Sequence, residues 1–410
     1  MALPVLFFVA AMAVKSNQTP LRSGCDAEDD VVANLPAGTA VEVRFRLSDG
    51  SDCLKVAASV GGKDVLGYVP ASALTGVDRY DQERASAASV DVVQALNPVV
   101  AETKKAVGKY SDPALDHAQQ LIEGNQPAQA LEEMQGALRR HPRDPAVLVL
   151  TGLAAYRADQ LRDALDYWRQ ALDIAPDERL AAIYERVKRE ASADHSGEKL
   201  IGIHVALRYE GQALPADTAR AILATLDTDY NNIAAQLGCV SEERIVAIVQ
   251  SREAYLRSTG AAEWSGGEYD GRIHIAWTSG AQVDPKMQRA LAHELVHACL
   301  TSLPSGATPW PAWLQEGLAQ KLSGDTLPAG VREVLRQMAE AHAIPKLESL
   351  GQNWSRLSAQ NAQAAYALAL AAADALYDNY ASYGIRNVLN NPDSLPRVTA
   401  ALDAKLGLAP

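Results

Sequence analysis

The chain has 410 residues, too many for one typical domain, so two to four folding units are expected. Apolar residues make up 48% and charged residues 21%, an ordinary globular composition that allows sizeable cores. A formal net charge of −12 argues against a nucleic-acid binder, which needs a basic footprint.

Residues 1–13 contain the apolar run Leu3 to Ala11, followed by Ala11-Met12-Ala13, a small-residue pattern like a signal-peptidase site. No Lys or Arg precedes the run. Export to the periplasm or outside the cell is the expectation, and a buried first strand is the alternative. The run is too short to cross a bilayer, and no later stretch reaches eighteen uncharged apolar residues, so no membrane span is expected.

Residues 14–77 alternate short β-prone runs with turn signals. Val31 to Arg44 reads as strand, Pro36-Ala37-Gly38 turn, strand, and Ser48-Asp49-Gly50-Ser51 is a hairpin turn before Cys53 to Val56. The entry Leu21-Arg22-Ser23-Gly24, the turn Leu35-Pro36-Ala37-Gly38-Thr39 and the exit Gly67-Tyr68-Val69-Pro70-Ala71-Ser72-Ala73-Leu74 resemble the bacterial Src-homology-3-like barrel. That resemblance implies a small β-barrel, with cell-wall peptide as its partner or with an architectural role only. Cys25 and Cys53 both fall here, where a disulfide would support a small core.

Residues 78–111 are polar and alanine-rich and read as a helical linker. Residues 112–194 then repeat: Ala130-Leu131 matches Ala164-Leu165, Ala137-Leu138 matches Ala171-Leu172, and Pro142 matches Pro176, each offset by 34. Paired helices at this period, with a closing proline, resemble the tetratricopeptide repeat. Tyr156, Leu165 and Trp168 are then packing residues. With so few repeats a rigid spacer or dimer surface is expected rather than a peptide groove.

Asp194 to Glu198 reads as a domain boundary, and residues 198–410 as the last domain. Leu200 to Tyr209 is a predicted strand, Thr218 to Leu237 a helix, Arg244 to Val249 a strand, Gly266 to Gly271 a turn, and Arg272 to Trp277 a strand. Asp284 suits an N-cap and Pro285 the first position of the next helix. Further helices are predicted over 331–341, 362–380 and 395–406. Cys239 and Cys299 are either a bridge or two buried thiols.

That helix after Pro285 carries His293-Glu294-Leu295-Val296-His297. Residues four apart share a helix face, so both imidazoles can address one ion while Glu294 stands beside them. A catalytic zinc takes three protein ligands and keeps one open position. Glu316, in Trp313-Leu314-Gln315-Glu316-Gly317-Leu318-Ala319, follows His297 by nineteen positions, with the Pro/Gly-rich loop 303–309 between them. The combination resembles the gluzincin zinc metallopeptidases, most closely the bacterial peptidase MA-like domains, over about residues 200–390. The resemblance implies Zn²⁺ on His293, His297 and Glu316, Glu294 as general base for a zinc-activated water, and a peptide or protein substrate. It also implies a tyrosine supporting the oxyanion, for which Tyr366 is the candidate. A last strand bordering the cleft, here 272–277, would pair with an extended substrate. His274 could face the cleft or be solvated, and Glu268 could bind a substrate amine, though an open endopeptidase cleft ranks higher. The position of thermolysin's supporting aspartate is Gln320. The expected architecture is multidomain: a small β-barrel, an α-helical repeat, then an α+β thermolysin-like metallopeptidase domain with a helical C-terminal part. The alternative is a non-catalytic cell-envelope scaffold whose barrel and repeats bind partners and whose zinc domain is structural or degenerate.

Overall fold

The computed structural model describes residues 12–46, 52–78, 80, 92, 96, 98–102, 113–194, 196–261, 265–277, 283–303, 310–351, 354 and 359–408. The apolar run 3–11, the Ser48–Ser51 turn, most of the 78–111 segment, His195 and the 304–309 loop lie outside them. Two compact units emerge: one from residues before 90 with a stretch at 260–265, the other from 90–259 and 266–410.

The first unit is a seven-stranded sheet of antiparallel pairs in the order β3-β2-β6-β5-β4-β1-β7. Its strands are β1 (Met12–Val14), β2 (Thr19–Arg22), β3 (Val31–Leu35), β4 (Ala40–Arg46), β5 (Cys53–Val60), β6 (Lys63–Pro70) and β7 (Leu74–Thr75). Inward side chains from every strand, among them Met12, Leu21, Leu35, Val41, Leu54, Val69 and Leu74, meet in one core, so the sheet curls. β1 begins inside the segment read as a leader: Met12 and Ala13 pair with Val41 and Ala40. Cys25 and Cys53 are disulfide-bonded.

In the second unit the described residues include helical positions at 98–102 and then the helices α1 (Ala114–Glu123), α2 (Pro127–Arg140), α3 (Pro145–Arg157), α4 (Leu161–Ile174) and α5 (Glu178–Ala193). The 34-residue offset relates α2 to α4 at both ends, and Asn125 (φ +56°) to Asp159 (φ +64°) in the turns before them. Asn and Asp tolerate this left-handed backbone better than most side chains. Trp168 is buried and donates from its indole to the Val149 carbonyl at 3.1 Å.

Next come β8 (Glu198–Ile201), β9 (Val205–Tyr209), α6 (Ala216–Leu237), β10 (Ile245–Ser251), α7 (Arg252–Thr259), β11 (Gly267–Tyr269) and β12 (Ile273–Trp277). The sheet order is β11-β12-β10-β9-β8, with β9, β10 and β12 parallel and both outer strands antiparallel. Helices α8 (Pro285–Thr301), α9 (Ala312–Ser323), α10 (Ala329–Glu340), α11 (Ala359–Leu389, kinked at Ala381) and α12 (Leu395–Leu408) complete the unit.

Two expectations need correction. The strand read as 200–209 is a β8–β9 hairpin, because the Asp227 carboxylate accepts the amides of Ile203, His204 and Val205 and turns the chain. The stretch 266–271, read as a turn, contains β11 and takes the edge position assigned to 272–277, so β12 is an interior strand. At 194–198 the chain passes from the helical array to the sheet, and Asp194 bonds Arg208 of β9. Cys239 and Cys299, left open between thiols and a bridge, are disulfide-bonded and tie the end of α6 to α8.

The helical array and the sheet-containing half keep separate hydrophobic cores. Between them lies a buried ionic seam. Arg186 on α5 donates to Asp270 (2.7 Å) and Glu268 (3.3 Å), and Arg272 donates to Glu190 on α5 (2.6 Å). The Tyr156 hydroxyl on α3 bonds Asp270 at 2.6 Å, and the Arg272 guanidinium lies 4.0 Å over the Tyr156 ring. Tyr156 therefore does more than pack. The repeat turns join as well: Asp159 accepts from Arg208, and Asn125 bonds Ser241.

Candidate metal centre

Helix α8 starts where the sequence says it should. The Asp284 carboxylate accepts the Met287 amide at 2.7 Å, and Pro285 fills the first helical position, where no amide partner is needed. Leu291, Leu295, Val296, Ala298 and Cys299 bury one face of α8 in the core. The opposite face carries His293 and His297, half-buried, with ring centroids 5.0 Å apart.

Helix α9 brings Glu316 to them. Its start is fixed by Gln315, whose amide donates to the Trp310 carbonyl, and by the Trp310 indole, which donates to the Leu300 carbonyl near the end of α8. Gly317 lets α9 lie directly on α11: an added Cβ would stand 2.4 Å from the Ala369 carbonyl oxygen.

Glu316 Oε2 lies 3.2 Å from His293 Nε2 and 3.7 Å from His297 Nε2. Donors around a tetrahedral ion with bonds near 2.1 Å stand about 3.4 Å apart, so these separations suit one shared cation. The buried Oε2 has no hydrogen-bond partner, which also fits an oxygen reserved for a ligand. Burial raises the Glu316 pKa, but His297 and His293 outweigh it and hold the carboxyl well below its usual range. Two imidazole nitrogens and an anionic oxygen at one point form a grouping that could hold a divalent cation.

Glu294, on the same turn as His293, is turned inward and only 6% exposed. Burial pushes its pKa up to about 8, with His293 pulling it down and Glu316 and Glu268 pushing it up. Strand β11 runs alongside: a Cβ added to Gly267 would lie 2.6 Å from Glu294 Oε1.

Tyr366 on α11 stands edge-on to Trp354, centroids 5.2 Å apart. Burial, then the charges of Glu316 and Glu294, hold its hydroxyl well above the usual phenol pKa, which places the ring in the field of the centre. Gln320 donates to the backbone carbonyls of Glu316 and Tyr366, stitching α9 to α11.

His274 neither faces a cleft nor meets solvent. It is 1% exposed on interior strand β12, with Nε2 at ion-pair distance, 3.3 Å, from Asp270. Among the described residues a second grouping of possible ligands, Glu190, Asp270 and His274, lies in the ionic seam. Arg186 and Arg272 already occupy its carboxylates, so it is an ion-pair cluster. Sequence reasoning missed Gly267, Arg186 and Asp270; the Gly266-Gly267 pair was the one available signal.

No protein-family model, no curated protein and no solved structure matches the chain.

Proposed function

We propose that this chain is a zinc-dependent peptidase that hydrolyses peptide bonds of protein or peptide substrates in the cell envelope or outside the cell. One observation carries the reading: His293, His297 and Glu316 offer ligand atoms within 4.8 Å of one another, with the inward carboxyl of Glu294 next to them. Two imidazoles in the donor set favour zinc over calcium or magnesium, which prefer all-oxygen sites. His293, His297 and Glu316 would hold the ion, which would supply Lewis acidity. Glu294 accepts the proton of the attacking water and delivers it to the leaving amine. Tyr366, protonated at neutral pH, donates its hydroxyl hydrogen toward the developing oxyanion. Glu268 is bonded to Arg186 and so is committed away from a substrate amine, which favours internal cleavage over release of N-terminal residues. A mixed sheet followed by two ligand-bearing helices supports the thermolysin-like layout. The two disulfides fit an oxidising compartment.

The test joins composition to turnover. Elemental analysis of the purified chain should give one zinc per chain, with hydrolysis of denatured casein. Glu294→Gln should keep the zinc and the circular-dichroism spectrum and lose the hydrolysis. A zinc-replete wild-type chain that leaves casein intact, or a Glu294→Gln variant as active as wild type, removes the peptidase reading.

A further inference from the structure

The seam between the two cores poses a physical question. Desolvating ions costs several kcal/mol each, so a buried ion pair is poor glue compared with apolar packing, yet it fixes geometry well. Arg186, Arg272, Asp270 and Glu190 are all 5% exposed or less in their side chains. What these charges hold in place is therefore the informative point.

Two of the partners, Glu268 and Asp270, belong to the short segment carrying β11. One nitrogen of the Arg186 guanidinium grips both, at 3.3 Å and 2.7 Å. The Tyr156 hydroxyl grips Asp270 from a second repeat helix. Immediately before Glu268 stands Gly267, whose backbone is so close to Glu294 that a Cβ would meet Oε1 at 2.6 Å and Cγ at 2.9 Å. β11 is only three residues long and has one neighbour in the sheet, β12. Such a strand has little pairing of its own to set its distance from α8.

We infer that Arg186, on the last helix of the repeat, is a positioning residue for the metal centre: it pins β11 against Glu294 and so fixes where the Glu294 carboxylate points. The helical repeat is then a structural wall of the active site rather than a spacer or an independent docking module. Arg186 acts through Glu268 and Asp270 and does not touch the reacting atoms. The kinetic arm rests on the peptidase reading; the exchange arm does not.

The experiment uses the full chain with zinc bound and two variants, Glu268→Gln and Arg186→Lys. Glu268→Gln removes one charge from the grip and leaves the Arg186–Asp270 pair intact, so it stays interpretable if Arg186→Lys folds poorly. Amide hydrogen exchange at residues 267–269 should accelerate at least tenfold, with residues 205–209 of β9 unchanged and zinc still at one per chain. On casein-derived blocked peptides kcat should fall at least tenfold while KM stays within twofold, a split that general destabilisation does not produce. Unchanged exchange at 267–269 in both variants overturns the inference, as does accelerated exchange with wild-type kcat. If the wild-type chain proves inactive, the peptidase reading fails alone, and the exchange result still decides whether Arg186 pins β11.

Discussion

Gly317 lies against the backbone of Ala369, with room for a hydrogen and not for a methyl group. The contact holds the helix that presents Glu316. Gly317→Ala should push α9 off α11, costing roughly 1–3 kcal/mol of overpacking strain. Urea unfolding measures the loss, and zinc content should fall with it because the neighbouring carboxylate moves. A variant with wild-type stability and full zinc would show that this contact is not needed.

Replacing the proposed ligand Glu316 separates metal binding from chemistry. Glu316→Gln keeps the size of the side chain and removes the anionic oxygen that faces both imidazoles. Competition against a chelator should show at least a tenfold loss of zinc affinity, whereas Glu294→Gln should leave affinity near wild type. Equal effects from both would contradict the division of roles between the two carboxylates.

Tyr366→Phe removes one hydroxyl and keeps the ring against Trp354. Loss of an oxyanion donor costs on the order of 10²-fold in kcat, and that fall is expected here with KM and zinc content unchanged. A variant that melts lower but turns over normally would make Tyr366 a packing residue.

The Cys239–Cys299 bridge anchors α8 two residues beyond His297 and closes a loop of 60 positions. Chain-entropy reasoning assigns about 4 kcal/mol to a loop of that length. The Cys239→Ala/Cys299→Ala double variant should melt well below wild type, and reductant should lower the wild-type midpoint while leaving the variant unmoved apart from the Cys25–Cys53 contribution.

Acid should loosen the seam. Burial raises the Asp270 pKa, but His274, Arg186 and Arg272 outweigh it and hold the carboxyl well below the usual value. With a depressed folded-state pKa, the contribution is fully present above the unfolded value of about 3.9 and is lost as pH falls toward the folded value. Unfolding free energy should thus be flat in this respect above about pH 5 and should drop below about pH 4. Asp270→Asn should lower stability by about 3–5 kcal/mol, because it takes the nearest anion from the buried Arg186 guanidinium. It should also flatten the acid limb measured by urea titration at successive pH values.

Some of this architecture could be read from residues in order. The start of α8 is written locally in Asp284-Pro285, and the shared helix face of His293 and His297 follows from their spacing alone. The 34-residue repeat appears as matched alanine and leucine positions. Other features depend on distant partners and leave no local trace. β11 is built from Gly-Glu-Tyr beside further glycines and has turn composition; β12 makes it a strand. The break between β8 and β9 comes from Asp227, more than twenty positions downstream. His274 reads as a solvated edge residue because β11, the strand that takes the edge beside it, has turn composition, and its partner Asp270 lies just after that strand. Long-range electrostatics, unlike periodicity, has no signature in a window of sequence.

The start of α2 has an unusual timetable. Its first free amides, those of Ala128 and Gln129, are capped by the carboxylate of Glu243, which is translated more than a hundred residues later. On the ribosome the repeat therefore emerges with an unfinished helix and an unpaired set of arginines and acids. It reaches its final form only after the sheet-bearing half has been synthesised and docked.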